Sequence, residues 1–184
     1  MNKDIKEVLV DEETLKGIVK RLGREITRDY EGKNLFLVTV LKGAVVFLTD
    51  LMRNIDCECR IDFMVVSSYG SSTKSSGDVK IVMDINQSLE DKDVLIVEDI
   101  LDSGYTLNFV RNLLLSRNPR SLEICTLLDK PERRAVDIKA KYIGMQVPDA
   151  FVVGYGLDYD DKYRNLPNIG VLKPEVCRDP AIGV

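Results

Sequence analysis

Glu98 and Asp99 stand side by side at the end of an apolar run, and a third carboxylate, Asp102, follows shortly after. The stretch is VLIVEDILDSGYTL, Val94 to Leu107. After Asp102 come Ser103, Gly104, Tyr105 and Thr106, and then Leu107, Val110, Leu113 and Leu114 recur at helical spacing. The pattern reads as a buried strand, a tight turn and a helix start. Such a turn aims backbone N–H groups, the Ser103 and Thr106 hydroxyls and the positive end of a helix dipole at one point, which suits a phosphate. The acids complicate that reading. Glu98 and Asp99 would repel a bare phosphate, and no Lys or Arg lies between Asp93 and Leu107. The combination makes sense for a ligand that also brings something carboxylates hold, such as sugar hydroxyls or Mg²⁺. A phosphorylated sugar with a metal fits that description.

Other phosphate signatures do not compete. No G-x-x-x-x-G-K-[ST] run occurs, so a P-loop is excluded. Gly154-Tyr155-Gly156 offers G-x-G, but Tyr159 stands where the third glycine belongs and no helix pattern follows. The chain has no histidine. Any general acid or base must then be Asp, Glu, Lys, Tyr or Cys, and Ser-His or Cys-His nucleophilic chemistry is excluded.

These residues need elements to position them. Asp11, Glu12 and Glu13 open a helix with the apolar stripe Leu15, Ile18, Val19, Leu22 and Ile26, ending near Gly32. Strands are expected at Leu35 to Val40, Ile61 to Val66, Val79 to Ile85, Val94 to Val97 and Leu122 to Leu128, with Phe151 to Val153 as the last core strand. Further helices are expected over Gly43 to Met52 and Thr106 to Ser116. Alternating strands and helices imply an α/β fold, a mostly parallel sheet flanked by helices, whose ligands sit beyond the carboxyl ends of the strands. No repeat or linker divides the chain, so residues 1–184 are expected to form a single domain. Lys42, in Leu41-Lys42-Gly43, and Lys130, in Leu128-Asp129-Lys130-Pro131, each follow a strand and so fall at that end. The serine- and glycine-rich segment from Ser67 to Gly77 is long for a connector and reads as a lid that keeps water from a reactive centre.

The run of four apolar residues, two acids and Asp-Ser-Gly-Tyr-Thr resembles the phosphoribosyl-diphosphate (PRPP) motif of the type I phosphoribosyltransferases. With Asp at position 102 it is similar to the hypoxanthine-guanine branch of that family. The resemblance implies the family's fold, with a small hood over the base site formed from N- and C-terminal segments. It implies purine salvage: transfer of 5-phosphoribosyl from PRPP to N9 of hypoxanthine or guanine, giving IMP or GMP and pyrophosphate, with Mg²⁺. PRPP would be held by Leu41, Lys42 and Gly43, a loop whose first peptide bond is often cis, and by Ser68 and Tyr69, which fold over the pyrophosphate. Glu98 and Asp99 would hold the ribose, Asp102 to Thr106 (Ser103, Gly104 and Tyr105 between them) the 5′-phosphate, and Arg164 the diphosphate. Lys130 would meet the 6-oxo group, Phe151 would stack on the purine, and the Val152 main chain would read its edge. Asp158 would lie near the purine 2-position and, with Glu98 and Asp99, face the metal. Asp102 is the candidate general base toward purine N7. Asp160 and Asp161 read as solvent-facing.

Composition narrows the setting. The 184 residues are 45% apolar and 30% charged, a usual soluble globular balance. The net charge of −4, with Lys and Arg dispersed except for the pair Arg133-Arg134, argues against a nucleic-acid partner. No apolar stretch reaches membrane-spanning length and the first residues are too charged for a signal peptide, so the expected location is the cytoplasm. The four cysteines show no metal spacing and read as free thiols, although Cys57 and Cys59 could form half of a zinc site. A homodimer or homotetramer is expected from family habit. Two other readings use the same acids: a PRPP-sensing regulator that has lost catalysis, and a Mg²⁺-dependent phosphatase or kinase. The acidic balance opposes the first, and Lys130 and Phe151 go unused in the second.

Overall fold

The computed structural model describes residues 3–68 and 79–176. A six-stranded sheet runs β4-β3-β2-β5-β6-β7 across the molecule. Its strands are β2 (Leu35–Val40), β3 (Cys59–Ser68), β4 (Val79–Met83), β5 (Asp93–Leu101), β6 (Ser121–Asp129) and β7 (Tyr142–Gln146). All pairings are parallel except β3 with β4. The two central strands are apolar on both faces, as a parallel sheet covered on both sides demands. Leu35, Leu37, Leu95 and Val97 face one core, with α1 (Glu12–Tyr30) and α2 (Val45–Met52) laid over it. Phe36, Val38, Val94 and Ile96 face the other, under α3 (Tyr105–Leu115). The period-two alternation of strand side chains places these sets on opposite sides.

The predicted helix over α1 forms as its sequence signals. Asp11 caps it by accepting from the Thr14 N–H at 2.8 Å, and Glu12 and Glu13 sit on the positive end of its dipole. Other expectations need correction. Phe151 to Val153 is not a core strand of the main sheet. Only Val152–Val153 (β8) is extended, and it pairs antiparallel with β9 (Ile169–Leu172) in a separate three-stranded sheet, β1-β9-β8, where β1 is Ile5–Val10. Val152 and Val153 are buried all the same, so pairing with β9 rather than apolarity decided which sheet they joined. The strand expected to stop at Val97 runs on to Leu101, so Glu98 and Asp99 lie inside it rather than beyond its end.

That extension makes the crevice. The chain leaves β2 toward β3 and leaves β5 toward β6, so the sheet order diverges between β2 and β5, where open α/β sheets bind ligands. Pairing between β2 and β5 ends at Thr39 with Val97, whereas β5 stays paired with β6 as far as Leu101 and Asp129. Residues 98–101 therefore have β6 on one side and the loop after β2 on the other. Gly156 closes this region from above. Its φ of +103° is in the left-handed half of the map, and a Cβ there would fall on the Gly43 carbonyl. Gly156→Ala is expected to destabilise by about 2–4 kcal/mol. A thermal melt should show Tm lowered by about 5–15 °C, and an unchanged Tm would mean the close approach is unnecessary.

Candidate active site

The base of the crevice holds the acid pair. Glu98 and Asp99 are half-buried. Glu98 Oε1 accepts from the Val40 N–H at 3.3 Å, and Asp99 Oδ1 accepts from the Ile100 N–H at 2.7 Å. Gly43 gives Asp99 its room, since a Cβ at that position would fall on Asp99 Oδ2. Burial pushes Glu98 well above the usual carboxylate range, and the Asp99 charge adds to this. Burial likewise raises Asp99 to about 6; backbone N–H groups and the Arg164 charge pull it back, and Asp158 pushes it up. Arg164, the cation that reaches Asp99, is itself engaged with Asp158 and Asp161. Two acids thus face the crevice with little cationic compensation, ready to accept from hydroxyls or to meet a metal.

Beyond Leu101 the chain turns through Asp102, Ser103 and Gly104 into α3. Gly104 caps the helix with φ +87°, and its carbonyl accepts from the Asn108 N–H at 2.8 Å. A cavity of about 150 Å³ sits against this turn, lined by Glu98, Asp102, Ser103, Gly104 and Thr106 among others. The Tyr105 ring is exposed. Ser103, Thr106 and the first turn of α3 thus border one cavity, an arrangement that an anion site could use. Arg134 staples the turn from outside: its guanidinium donates to the carbonyls of Asp102 (2.9 Å), Leu101 (3.1 Å) and Ile138 (2.8 Å), and pairs with Asp129. The sequence showed Arg133-Arg134 only as a close pair of charges; nothing in it marked them as partners of this turn.

The loop after β2 and the loop from Leu157 to Arg164 face each other. The Leu41–Lys42 peptide is cis. Lys42 Nζ lies 3.1 Å from Asp161 Oδ1, and Arg164 Nη2 lies 3.0 Å from the same oxygen and 2.8 Å from Asp158 Oδ1. Arg164 Nη1 also donates to the Gly156 carbonyl at 2.9 Å, and the Asp161 N–H donates to Asp158 Oδ2 at 2.9 Å. Asp161, expected to be merely solvent-facing, is exposed but bridges the two cations. Asp160 is exposed and pairs with Lys162.

Lys130, Phe151 and Val152 lie along the neighbouring edge. Lys130 is buried, and its Nζ donates to the Ala150 carbonyl at 2.7 Å. Burial lowers its pKa, while the nearby charges of Asp102 and Asp149 pull it back up. Phe151 meets Tyr159 edge to face, ring centroids 5.5 Å apart. The Phe151 carbonyl accepts from the Leu172 N–H, so the alternation of an antiparallel ladder turns the Val152 N–H and C=O to the open edge of β8. Ser67 and Ser68 end β3, while Tyr69 and the rest of the expected lid lie outside the described residues.

The shared carboxylate yields a direct expectation. Asp161→Asn releases Lys42 and Arg164 from their bridging anion, so inorganic pyrophosphate should bind several-fold more tightly, about 3–10-fold at low salt by calorimetry. Weaker binding would mean that Asp161 orders the two cations rather than competing with the anion.

Comparison with known proteins places this geometry. Residues 7–160 match a family model described as phosphoribosyl transferase domain. A hypoxanthine-guanine phosphoribosyltransferase of Staphylococcus aureus (strain Mu50) is 57% identical over 176 residues, covering 96% of this chain and 98% of that one. The crystal structure of a hypoxanthine phosphoribosyltransferase from Staphylococcus aureus is similar with a TM-score of 0.94 and 56% identity, over 97% of both chains. That of a hypoxanthine-guanine phosphoribosyltransferase from Bacillus anthracis gives 0.88 and 48%, over 92% of this chain and 99% of the other. With a type I fold, a diverging sheet and an acid pair beside a phosphate-type turn, the chain belongs to the phosphoribosyltransferase family.

Proposed function

We propose that the chain serves purine salvage, transferring the 5-phosphoribosyl group of PRPP to N9 of hypoxanthine or guanine and releasing pyrophosphate. The observation that carries this reading is that three unlike features lie next to one another. These are the turn from Asp102 to Thr106, the half-buried pair Glu98-Asp99, and the buried Lys130 whose ammonium senses the Asp102 charge. PRPP presents a phosphate for the turn, a diol for the acid pair and a diphosphate for Lys42 and Arg164, which leaves Lys130 to the purine.

In this reading Glu98 and Asp99 accept from the ribose hydroxyls, while Ser103, Thr106 and the N–H groups of the Ser103–Thr106 turn hold the 5′-phosphate. Lys42, with the Leu41 and Gly43 backbone, and Arg164 face the diphosphate, where a guanidinium is suited by its permanent charge and its two-pronged fork. Ser68 and Tyr69 stand at the start of the segment that would cover it. Glu98, Asp99 and Asp158 offer the hard oxygen donors Mg²⁺ takes, and because no three such residues cluster into a cage among the described residues they would hold it together with the diphosphate and water, where it would neutralise charge on the departing group. On the purine side, Phe151 offers a ring face, Val152 a free main-chain edge, and Asp158 lies toward the 2-position. Lys130 offers N–H donors to a 6-oxo group; an adenine amino group there would set donor against donor. As N9 bonds to the ribosyl carbon and the carbon–diphosphate bond breaks, the N7 proton passes to Asp102. The sheet β1-β9-β8, built from both ends of the chain, acts as the hood of a single domain.

The reading carries a cytoplasmic setting and a homodimer or homotetramer with it, supported by the family resemblance. No described helix is long and apolar enough to cross a membrane. An absorbance assay with Mg²⁺, PRPP and one purine at a time should show turnover of hypoxanthine and guanine and none of adenine; silence with every purine would sink the reading. Asp102→Asn should retain PRPP binding while kcat drops about 10²–10⁴-fold. Lys130→Gln should cut kcat/KM for guanine by about 10-fold or more, and unchanged guanine kinetics would remove Lys130 from base reading.

A further inference from the structure

The two arginines after Lys130 make different contacts. Arg134 spends its guanidinium on backbone carbonyls and on Asp129, as described. Arg133, half-exposed, reaches two carboxylates instead: its Nε lies 2.9 Å from Asp102 Oδ1 and its Nη1 3.3 Å from Asp149 Oδ1. Asp102 Oδ1 is buried and makes no hydrogen bond, so its contact with Arg133 is an ion pair. The Asp102 side chain is nonetheless 39% exposed, so with Oδ1 buried the exposure falls on the rest of a side chain that lines the cavity beside Glu98. Asp149 is followed by Ala150, whose carbonyl holds Lys130 Nζ, and then by Phe151 and Val152. One guanidinium thus joins the carboxylate at the end of β5 to the segment that leads into β8.

We propose that Arg133 is a positioning residue for the purine step: it pins Asp102 Oδ1 so that Oδ2 meets the base, and through Asp149 it ties that carboxylate to the base-reading segment. The proposal rests on the reading of Asp102 as general base. An ion pair this exposed contributes little to folding, so its value lies in orientation. Lys130, buried beside Asp102, supplies charge but its ammonium is committed to the Ala150 carbonyl. Arg134 touches Asp102 only at the main chain. Arg133 is therefore the cation that contacts the Asp102 carboxylate among the described residues.

The test uses the full chain with Arg133→Met, Arg133→Lys, Asp102→Asn and the double variant Arg133→Met/Asp102→Asn, with kcat, KM and Tm measured for each. Arg133→Met should lower kcat about tenfold with KM for PRPP unchanged, while Tm stays within about 2 °C. Arg133→Lys should recover part of the loss. In the Asp102→Asn background the same change should have almost no further effect, because both act through one group. Wild-type kcat in Arg133→Met, or an undiminished tenfold loss in the double variant, would overturn the proposal. Full kcat in Asp102→Asn alone would overturn the general-base reading beneath it, so the two failures are distinct.

Discussion

Two adjacent carboxylates at the base of a crevice, with no cation committed to them, are the constraint around which the site is arranged. A charged group taken from water without a partner raises the free energy of the fold, and here both acids respond by holding their protons more tightly than in water. The site accepts this cost because the acids lie inside β5, the strand paired on both sides through its apolar part. The apolar residues Val94 to Val97, fully buried, anchor the segment that the acids destabilise. Stability comes from one half of the strand and, in the proposed reading, chemistry from the other.

The surroundings follow from that choice. Gly43 must lack a side chain for the Asp99 carboxylate to fit, and Gly156 must lack one for the upper loop to rest on Gly43. Arg134 pins the turn after β5, so the phosphate-type N–H groups do not drift from the acids. Opposing cations are present but engaged: Lys42 and Arg164 share Asp161, and Arg133 holds Asp102. Among the described residues these cations are therefore paired with internal carboxylates, while the acid pair is not.

Much of this was legible in the chain, for physical reasons. Leu35 to Val40 emerged with its true ends because it is apolar on both faces, and α1 because a capping aspartate precedes a regular stripe. The strands β1, β7 and β9 escaped notice. IKEVLV carries charges out of alternation, YIGMQ has a glycine at its centre, and IGVL is too short to show a period. Phe151 to Val153 looked like core since three apolar residues say nothing of which sheet they join. In the site, Asp161 and Arg164 stand at helical-type spacing, but the contact with Lys42 closes a loop of more than a hundred residues and no local pattern announces it. The same holds for Arg133, which sequence showed as a charge and the fold turned toward Asp102.

In the proposed reading the acid pair is kept, at a cost to the fold, to hold the ribose. Because the folded-state pKa values are raised, the protein loses stability as pH climbs from the ordinary carboxylate range, through about 6 for Asp99 and higher for Glu98, so that at about pH 8 the Asp99 penalty is fully present. A Glu98→Gln/Asp99→Asn variant removes it. Measured together at that pH, Tm by calorimetric melt and Mg²⁺-dependent PRPP binding by titration should move in opposite directions, Tm rising above wild type while PRPP binding is lost. Wild-type PRPP affinity with an unchanged or lower Tm would contradict the account.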